Sequence, residues 1–388
     1  MTLWSFTAFW VLAALGVFGL WVFVLILGPN RMFRGTAVER AYYMVTETLP
    51  EALERWMRSG VGDTMAARAE RIWGALFGRR NPMFQIFAIV LYWAGLAVFF
   101  MQVAPYIPNR YVASWQWIPI GAMLAANIGS YAAACLADPG VVDAKNVGAA
   151  CRVFAYDRLL YFERDCRTCG LRKPARSKHC SACGRCVQMM DHHCIWLNNC
   201  VGLGNAHWFL WFLATFTGVC VYGSYLLGTV ILELRHAYGL ADGAIIWNEF
   251  GEPVQLSFKS SVLYVLDASP LLAALFVLLL ILTPAIGLFT AFQLRITMLG
   301  YTSNEESKWL NILDAVNDGV VFAVREHEDA PREIIQVIEK DDQASDTRPR
   351  RPISHLRHVT NAYDRGLWAN LKFVMFPSPA PTQKTHVS

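Results

Sequence analysis

The residues able to do chemistry crowd into 166–200, where they form an internal repeat. Cys166-x-x-Cys169, nine residues, His179, six residues and Cys186 make one set of spacings. Cys180-x-x-Cys183, nine residues, His193, six residues and Cys200 repeat it, shifted by fourteen, and Gly170 and Gly184 match as well. Each set offers three thiolates and one imidazole, the complement of a closed tetrahedral structural zinc site. Because Cys180 and Cys183 lie between His179 and Cys186, the sets interleave, and losing one metal loosens the loop that holds the other. Disulfides are the competing use of these cysteines, but they would leave the paired histidines unexplained. A stretch this short and polar builds little core, so zinc must supply much of its folding free energy, on the order of 10 kcal/mol per site.

The repeat also isolates what it does not need. Each histidine is followed by a cysteine, His179–Cys180 and His193–Cys194. Cys180 is used as the first ligand of the second set, whereas Cys194 has no third set to serve. It stands beside Asp191 and His192. A cysteine needs a base or a positive field to become a thiolate near neutral pH. An imidazole beside it, oriented by a carboxylate, is an arrangement that activates a nucleophile. The alternative is a fortuitous surface thiol, and spacing alone leaves both open.

The elements that must position these groups are membrane spans. The chain has 388 residues, 55% apolar and only 16% charged, against about 25% charged in an ordinary globular chain. Five windows lack charge: 1–30, 81–109, 111–137, 201–232 and 268–294. Each can hold the roughly 20 apolar residues that cross a hydrocarbon core of about 30 Å. This excludes a soluble protein, a disordered chain and a disulfide-knit secreted module. The expected fold is an all-α polytopic membrane protein of about five transmembrane helices. The first window lacks the basic n-region and short apolar stretch of a signal peptide and is expected to stay as an anchor. Pro284 inside the fifth is tolerable where neighbours satisfy the freed carbonyl.

Basic residues give the orientation. Thirty-one of the 34 fall in 31–81, 138–207 and 294–388, and three in the two alternate gaps. The positive-inside rule then puts the three basic segments and the C-terminus in the cytosol and the N-terminus in the lumen or exterior. Cytosolic thiols stay reduced, which favours zinc over disulfides. The expected domains are a first span at 1–30, an amphipathic cytosolic segment at 31–81 and the second and third spans at 82–137. A cytosolic zinc module at 138–207 follows, between the third and fourth spans. The fourth and fifth spans with a lumenal loop occupy 208–293, and a cytosolic region 294–388. Within 38–77, helically spaced apolar residues among arginines predict either helices on the membrane surface or a helical pair packed on another domain. The polar, basic stretch 341–352 reads as a linker, and apolar periodicity returns at 362–376.

Asp191-His192-His193-Cys194 inside this cysteine-rich frame resembles the DHHC protein S-acyltransferases, the palmitoyltransferases. Asp138-Pro139-Gly140 is similar to that family's D-P-G element. Thr302-Ser303-Asn304-Glu305 is similar to its T-T-x-E element, with serine in the second position. Asn361-Ala362-Tyr363-Asp364-Arg365-Gly366 with Asn370 is similar to its C-terminal element. Most members have proline after the DHHC cysteine and four spans, where this chain has Ile195 and an extra N-terminal span. Ile195 with Lys173-Pro174-Ala175-Arg176-Ser177-Lys178-His179, and Glu305 followed by Lys308-Trp309, is similar to the fungal spore-wall-formation subfamily. The resemblance implies Cys194 as acyl acceptor, His192 as its base and Asp191 as the orienting acid. It implies two zinc ions, one on Cys166, Cys169, His179 and Cys186, the other on Cys180, Cys183, His193 and Cys200. It further implies palmitoyl-CoA as donor and residence in the endoplasmic reticulum membrane. The implied substrates are SNAREs and other membrane proteins, acylated near the cytosolic ends of their spans. No nucleic-acid partner is implied.

The implied chemistry is a two-step transfer through a Cys194 thioester. A sixteen-carbon chain has fourteen methylenes, so roughly 11 kcal/mol favours its burial in an apolar cavity. The spans are expected to supply that cavity, with Cys194 at its cytosolic mouth. Arg172, Lys173, Arg176, Lys178 and Arg185 could meet the anionic CoA head, and Lys173 and Arg176 are the residues the family motif favours. The rival class is a non-catalytic membrane-anchored zinc-binding scaffold, which has no need of Asp191, His192 and a spare Cys194. A transporter would place ionisable groups inside its spans, and the apolar cores hold no Asp, Glu, Lys or Arg.

Overall fold

Four helices of the computed structural model are long and apolar enough to cross a membrane, and they come from four of the five charge-free windows. The model describes residues 80–240, 243–247, 252–324, 334–338, 350–353, 359 and 361–376, with 24, 35–49, 51–52, 55, 68 and 74. The helices are α1 (Met83–Gln102), α2 (Trp117–Leu136), α3 (Ala206–Ala237) and α4 (Pro270–Met298). The protein is a multi-pass membrane protein, helical apart from small sheets. The expected first span at 1–30 and most of the segment 31–81 lie outside the described residues. Of that segment, Ala37–Tyr43 is helical and buries no residue.

The chain divides into two compact units. The first comprises 85–130 and 211–291 together with the N-terminal 1–73. Its helices are apolar nearly all round, so polar side chains supply direction where they meet. Asn127 Nδ2 donates to Thr215 Oγ1 at 3.2 Å, tying α2 to α3. Thr217 and Thr290 pair at 2.8 Å, and Ser224 and Thr283 at 3.2 Å, tying α3 to α4. Around them pack Phe99, Val103, Leu226, Val230, Val265 and Leu272. The helix α4 continues through Pro284. The loop between α3 and α4 carries a hairpin of Ile245–Trp247 with Pro253–Gln255 and a helix Phe258–Ala268 whose N-terminus is closed by a Ser257–Ser260 capping box.

The second unit comprises 74–84, 131–210 and 292–388. Short strands dominate its middle: β1 (Val141–Val142), β2 (Lys178–Cys180), β3 (Arg185–Val187), β4 (His192–Cys194) and β5 (Asn199–Val201). The order β1-β3-β2 makes one antiparallel sheet, and β4 with β5 a hairpin. The Asp138-Pro139-Gly140 turn holds this module to the end of α2. Asp138 Oδ1 accepts from the Gly140 and Val141 amides at 2.9 Å, and the Pro139 carbonyl accepts from Gly204. A Cβ on Gly204 would come within 2.2 Å of the Asp138 carbonyl, so only glycine fits there. Asn199 Nδ2 caps the same helix end, donating to the carbonyls of Cys135 and Ala137 at 3.1 and 3.0 Å. These carbonyls have no partner within the helix.

After α4 come α5 (Ser303–Asn317) and α6 (Leu367–Met375). Between them a sheet of β6 (Val321–Val324), β7 (Ile334–Val337) and β8 (Arg350–Pro352), in the order β8-β6-β7, packs on α5 through Trp309, Ile312 and Val316. The end of the expected linker 341–352 is therefore an edge strand. Arg350 pairs with Val324 and lies over the Phe322 ring at 5.2 Å. Pro352 is tolerated because an edge strand leaves one row of amides unpaired.

Candidate functional site

The strand alternation of the module distributes its reactive side chains. Successive residues of a strand point to opposite faces. In the β2–β3 ladder His179 lies opposite Cys186, and both belong to the first ligand set. Cys180, one residue on, takes the other face and belongs to the second. In the β4–β5 hairpin His193 lies opposite Cys200, again ligand against ligand. His192 and Cys194 then share the remaining face. One residue of offset is what separates metal binding from the reactive pair.

Both ligand sets are assembled. In each, four ligand atoms lie within 4.8 Å of one another. His179 Nδ1 is 3.6, 3.3 and 3.9 Å from the sulfurs of Cys166, Cys169 and Cys186. His193 Nδ1 is 3.6, 3.4 and 3.6 Å from those of Cys180, Cys183 and Cys200. A tetrahedral ion with metal–sulfur bonds of about 2.3 Å and metal–nitrogen bonds of about 2.0 Å needs sulfur–nitrogen edges of about 3.5 Å. The two sets could each hold a metal ion, and their geometry fits a tetrahedral one. Gly170 and Gly184, at φ of +66° and +65°, turn the chain so that their amides bond back to the Cys166 and Cys180 carbonyls at 2.8 Å. The electrostatics ask for a cation. Burial and the neighbouring Cys166 thiol push Cys186 up to about 12. A bond from Cys200 brings Cys180 down to about 3, while the same bond and burial hold Cys200 far above the usual thiol range. One thiolate is readily held, and the next is opposed unless a dication joins them.

On the opposite face His192 Nδ1 donates to Asp191 Oδ2 at 2.6 Å. This leaves the other ring nitrogen for Cys194, whose sulfur interacts electrostatically with the ring. Burial works against a charged His192, but Asp191 and Cys194 outweigh it and push its pKa up to about 10. Asp191 lies below the usual carboxylate range: burial opposes its charge, yet the bonds from His192 and Ser303 prevail. Ser303 supplies two of them, its amide to Oδ1 at 2.5 Å and its hydroxyl to Oδ2 at 2.9 Å. Ser303 is the first residue of α5, so the free amides and positive end of that helix face the carboxylate. The Phe209 ring stands edge-on to His192 at 5.3 Å. Cys194 itself is 8% exposed.

Arg176 does not stand where a free CoA contact would. It is 4% exposed and Glu305 1%. Arg176 Nε and Nη2 donate to the two Glu305 oxygens at 2.7 and 2.5 Å, and Nη2 also to the Gly300 carbonyl at 2.9 Å. The guanidinium lies 5.0 and 4.9 Å from the Phe154 and Tyr363 rings. The expectation that it meets an external anion is corrected by this burial: its charge is spent on Glu305. Arg172 likewise pairs with Glu163 and Asp165, at the surface. Lys173 is half-buried, while Lys178 and Arg185 are exposed.

Two positioning roles go unassigned in the sequence, where Glu305 is marked only as part of the T-T-x-E element. Glu305 closes a capping box with Thr302 at the start of α5 and also accepts from Tyr161 at 3.0 Å. The Thr302-x-x-Glu305 spacing is itself a capping-box signature. Arg80 donates to the Asn198 carbonyl at 2.7 Å and bonds through its amide to Ala182, bracing both hairpin turns. No sequence signal marks it.

A buried thiol against an oriented imidazole, braced by two ligand sets in a multi-pass membrane protein, defines an integral-membrane enzyme built for thiol nucleophilic chemistry. Residues 160–310 match the family model described as DHHC palmitoyltransferase. The chain is 27% identical to palmitoyltransferase swf1 of Schizosaccharomyces pombe, across 94% of this chain and 96% of that protein. It is 25% identical to palmitoyltransferase SWF1 of Yarrowia lipolytica, across 92% and 95%. To palmitoyltransferase ZDHHC4 of Mus musculus it is 28% identical, across 59% and 67%. Residues 160–310 thus form a DHHC palmitoyltransferase domain, and the protein is an S-acyltransferase.

Proposed function

We propose that this enzyme takes the palmitoyl group of palmitoyl-CoA onto Cys194. It then passes the group to cysteines near the cytosolic ends of the spans of membrane proteins, SNAREs among them. The Asp191–His192 contact at 2.6 Å, with Cys194 on the same strand face, carries the reading. Nδ1 is committed to Asp191, so the other ring nitrogen takes the Cys194 proton. The thiolate attacks the thioester carbonyl, and the departing CoA sulfur recovers the proton from the imidazolium. In the second step the target thiol gives its proton to His192 and attacks the acyl-enzyme, and Cys194 leaves as thiolate. The two hydrogen bonds that Ser303 donates to Asp191 hold the carboxylate as the ring's charge comes and goes.

Two zinc ions, on Cys166, Cys169, His179 and Cys186 and on Cys180, Cys183, His193 and Cys200, would supply closed structural sites that fix both hairpins. Lys173 is the CoA contact retained from the sequence, and Lys178, Arg164 and Lys308 add charge beside it. Lys308 Nζ stands 3.9 Å over the Tyr161 ring. Its pKa is pushed down to about 8 by burial and then, against Glu305, by Lys173, Lys178 and Arg164. An anion among them would relieve that repulsion. We place the enzyme in the endoplasmic reticulum membrane on its subfamily resemblance, and orient it with the module and C-terminus cytosolic and the N-terminus lumenal on the distribution of basic residues. Purified zinc-loaded protein incubated with palmitoyl-CoA should gain one hydroxylamine-labile adduct by intact mass, mapping to Cys194. No adduct, or one elsewhere, would sink the assignment.

A further inference from the structure

Among the described residues the outward face of α6 is left largely open, with Trp368 and Lys372 exposed and Leu371 and Met375 half-buried, while its inward face is committed. Asn370, 4% exposed, donates to the Met298 carbonyl at 2.9 Å and to Asp364 Oδ1 at 2.7 Å, and accepts from the Arg365 amide. Phe373 packs edge-on against Phe154 at 5.9 Å. At 3.6 residues per turn, Trp368, Leu371 and Met375 fall on the side away from Asn370, with Lys372 among them. Trp368 is 76% exposed, more than any other described tryptophan, and Phe376 just past the helix is 68% exposed. An apolar strip with a tryptophan and one lysine is the composition of a segment lying at a lipid–water boundary. The indole there sits at headgroup depth while the lysine reaches outward.

The position of α6 says which boundary. Met298 is the last residue of a span, so Asn370 bonds to the carbonyl at the point where that span ends. The Gly300 turn beside it is equally crowded: a Cβ there would meet Asn370 Nδ2 at 3.1 Å and Asp364 Cα at 3.2 Å, at a φ of +76°. The helix is therefore held at the exit of the span and cannot swing away from it. We propose that the outer face of α6 lies in the interfacial layer of the bilayer beside the end of α4, with Trp368, Leu371 and Met375 toward the acyl chains. The same segment carries Tyr363, whose hydroxyl donates to the Ala155 carbonyl at 2.9 Å and whose ring covers Arg176. Lipid seating of α6 thus also holds one wall of the Arg176–Glu305 pair.

The test uses the full chain in lipid nanodiscs, with a benzophenone amino acid at position 368, at position 376, or at exposed Ser307 on α5 as reference. After irradiation, intact mass reads lipid adducts, and metal content confirms that each variant is folded. Adduct yields at 368 and 376 should exceed that at 307 by about tenfold, because an interfacial face meets acyl chains and a solvated one does not. Equal yields at 368 and 307 would overturn the proposal. So would chain-to-chain adducts at 368 in place of lipid adducts, which would make this face a contact between copies.

Discussion

Arg176→Lys separates a lock from a ligand contact, because it keeps the charge and removes the fork. Arginine reaches both Glu305 oxygens and the Gly300 carbonyl at once. A lysine nitrogen can serve about one of these three acceptors. Two bonds involving charged groups are lost, at about 1.5–3 kcal/mol each, for a cost of about 3–6 kcal/mol. That brackets the usual penalty for breaking a buried pair. A unit of this size should then melt on the order of 10 °C lower. The start of α5 shifts with it, so Asp191 loses the geometry of its Ser303 bonds and maximal acyl loading falls. The assay is self-acylation across a range of palmitoyl-CoA concentrations, beside a thermal melt of the same preparation. Arg176→Lys should lower the plateau and the melting point while leaving half-saturation unchanged. Lys173→Glu should raise half-saturation, more at low salt than at high salt, and leave the melting point alone. A cycle with Glu305→Gln should show coupling of about 3 kcal/mol, since each change strands the other partner. If Arg176→Lys melts like the parent and needs more palmitoyl-CoA, then Arg176 serves the CoA head and the lock is wrong.

The cysteines of the module should divide by strand face. Cys180→Ser should lose zinc from its own site and loosen the interleaved one, whereas Cys194→Ser should keep about two zinc ions and form no thioester; zinc loss in Cys194→Ser would show that a ligand had been taken for the nucleophile. Ser303→Ala removes the hydroxyl bond to Asp191 and keeps the amide bond, so loading should slow by about tenfold, as loss of a bond to a charged group of about 1.5 kcal/mol requires. Ser303→Thr should load like the parent, and equal rates in all three proteins would show that this hydroxyl does not orient the carboxylate.

Much of this protein is written along the chain, and the reason is range. A span needs only an uninterrupted apolar run, so the windows that became α1 to α4 could be marked without knowing any contact. Both ligand sets were legible because their spacing repeats, and Cys194 because the repeat leaves it over. Even the sharing of His193 and Cys194 between two faces follows from period two, once the segment is known to be a strand. The strands themselves were hidden: β1 to β5 have two or three residues each, too few for any periodicity to appear.

What only the tertiary structure decided are the pairings across long separations. Arg176 reads in sequence as one more basic residue of a basic stretch, and its charge suggests an external anion. Its partner lies 129 positions later, and nothing local distinguishes a guanidinium that will be buried from one that will stay in water. Ser303 likewise meets Asp191 across 112 positions, and Asn370 meets Met298 across 72. Apolar run length and ligand spacing are properties of neighbouring residues and survive in the unfolded chain. The partner of a buried charge is chosen by packing, because only the folded interior removes water as the competing partner.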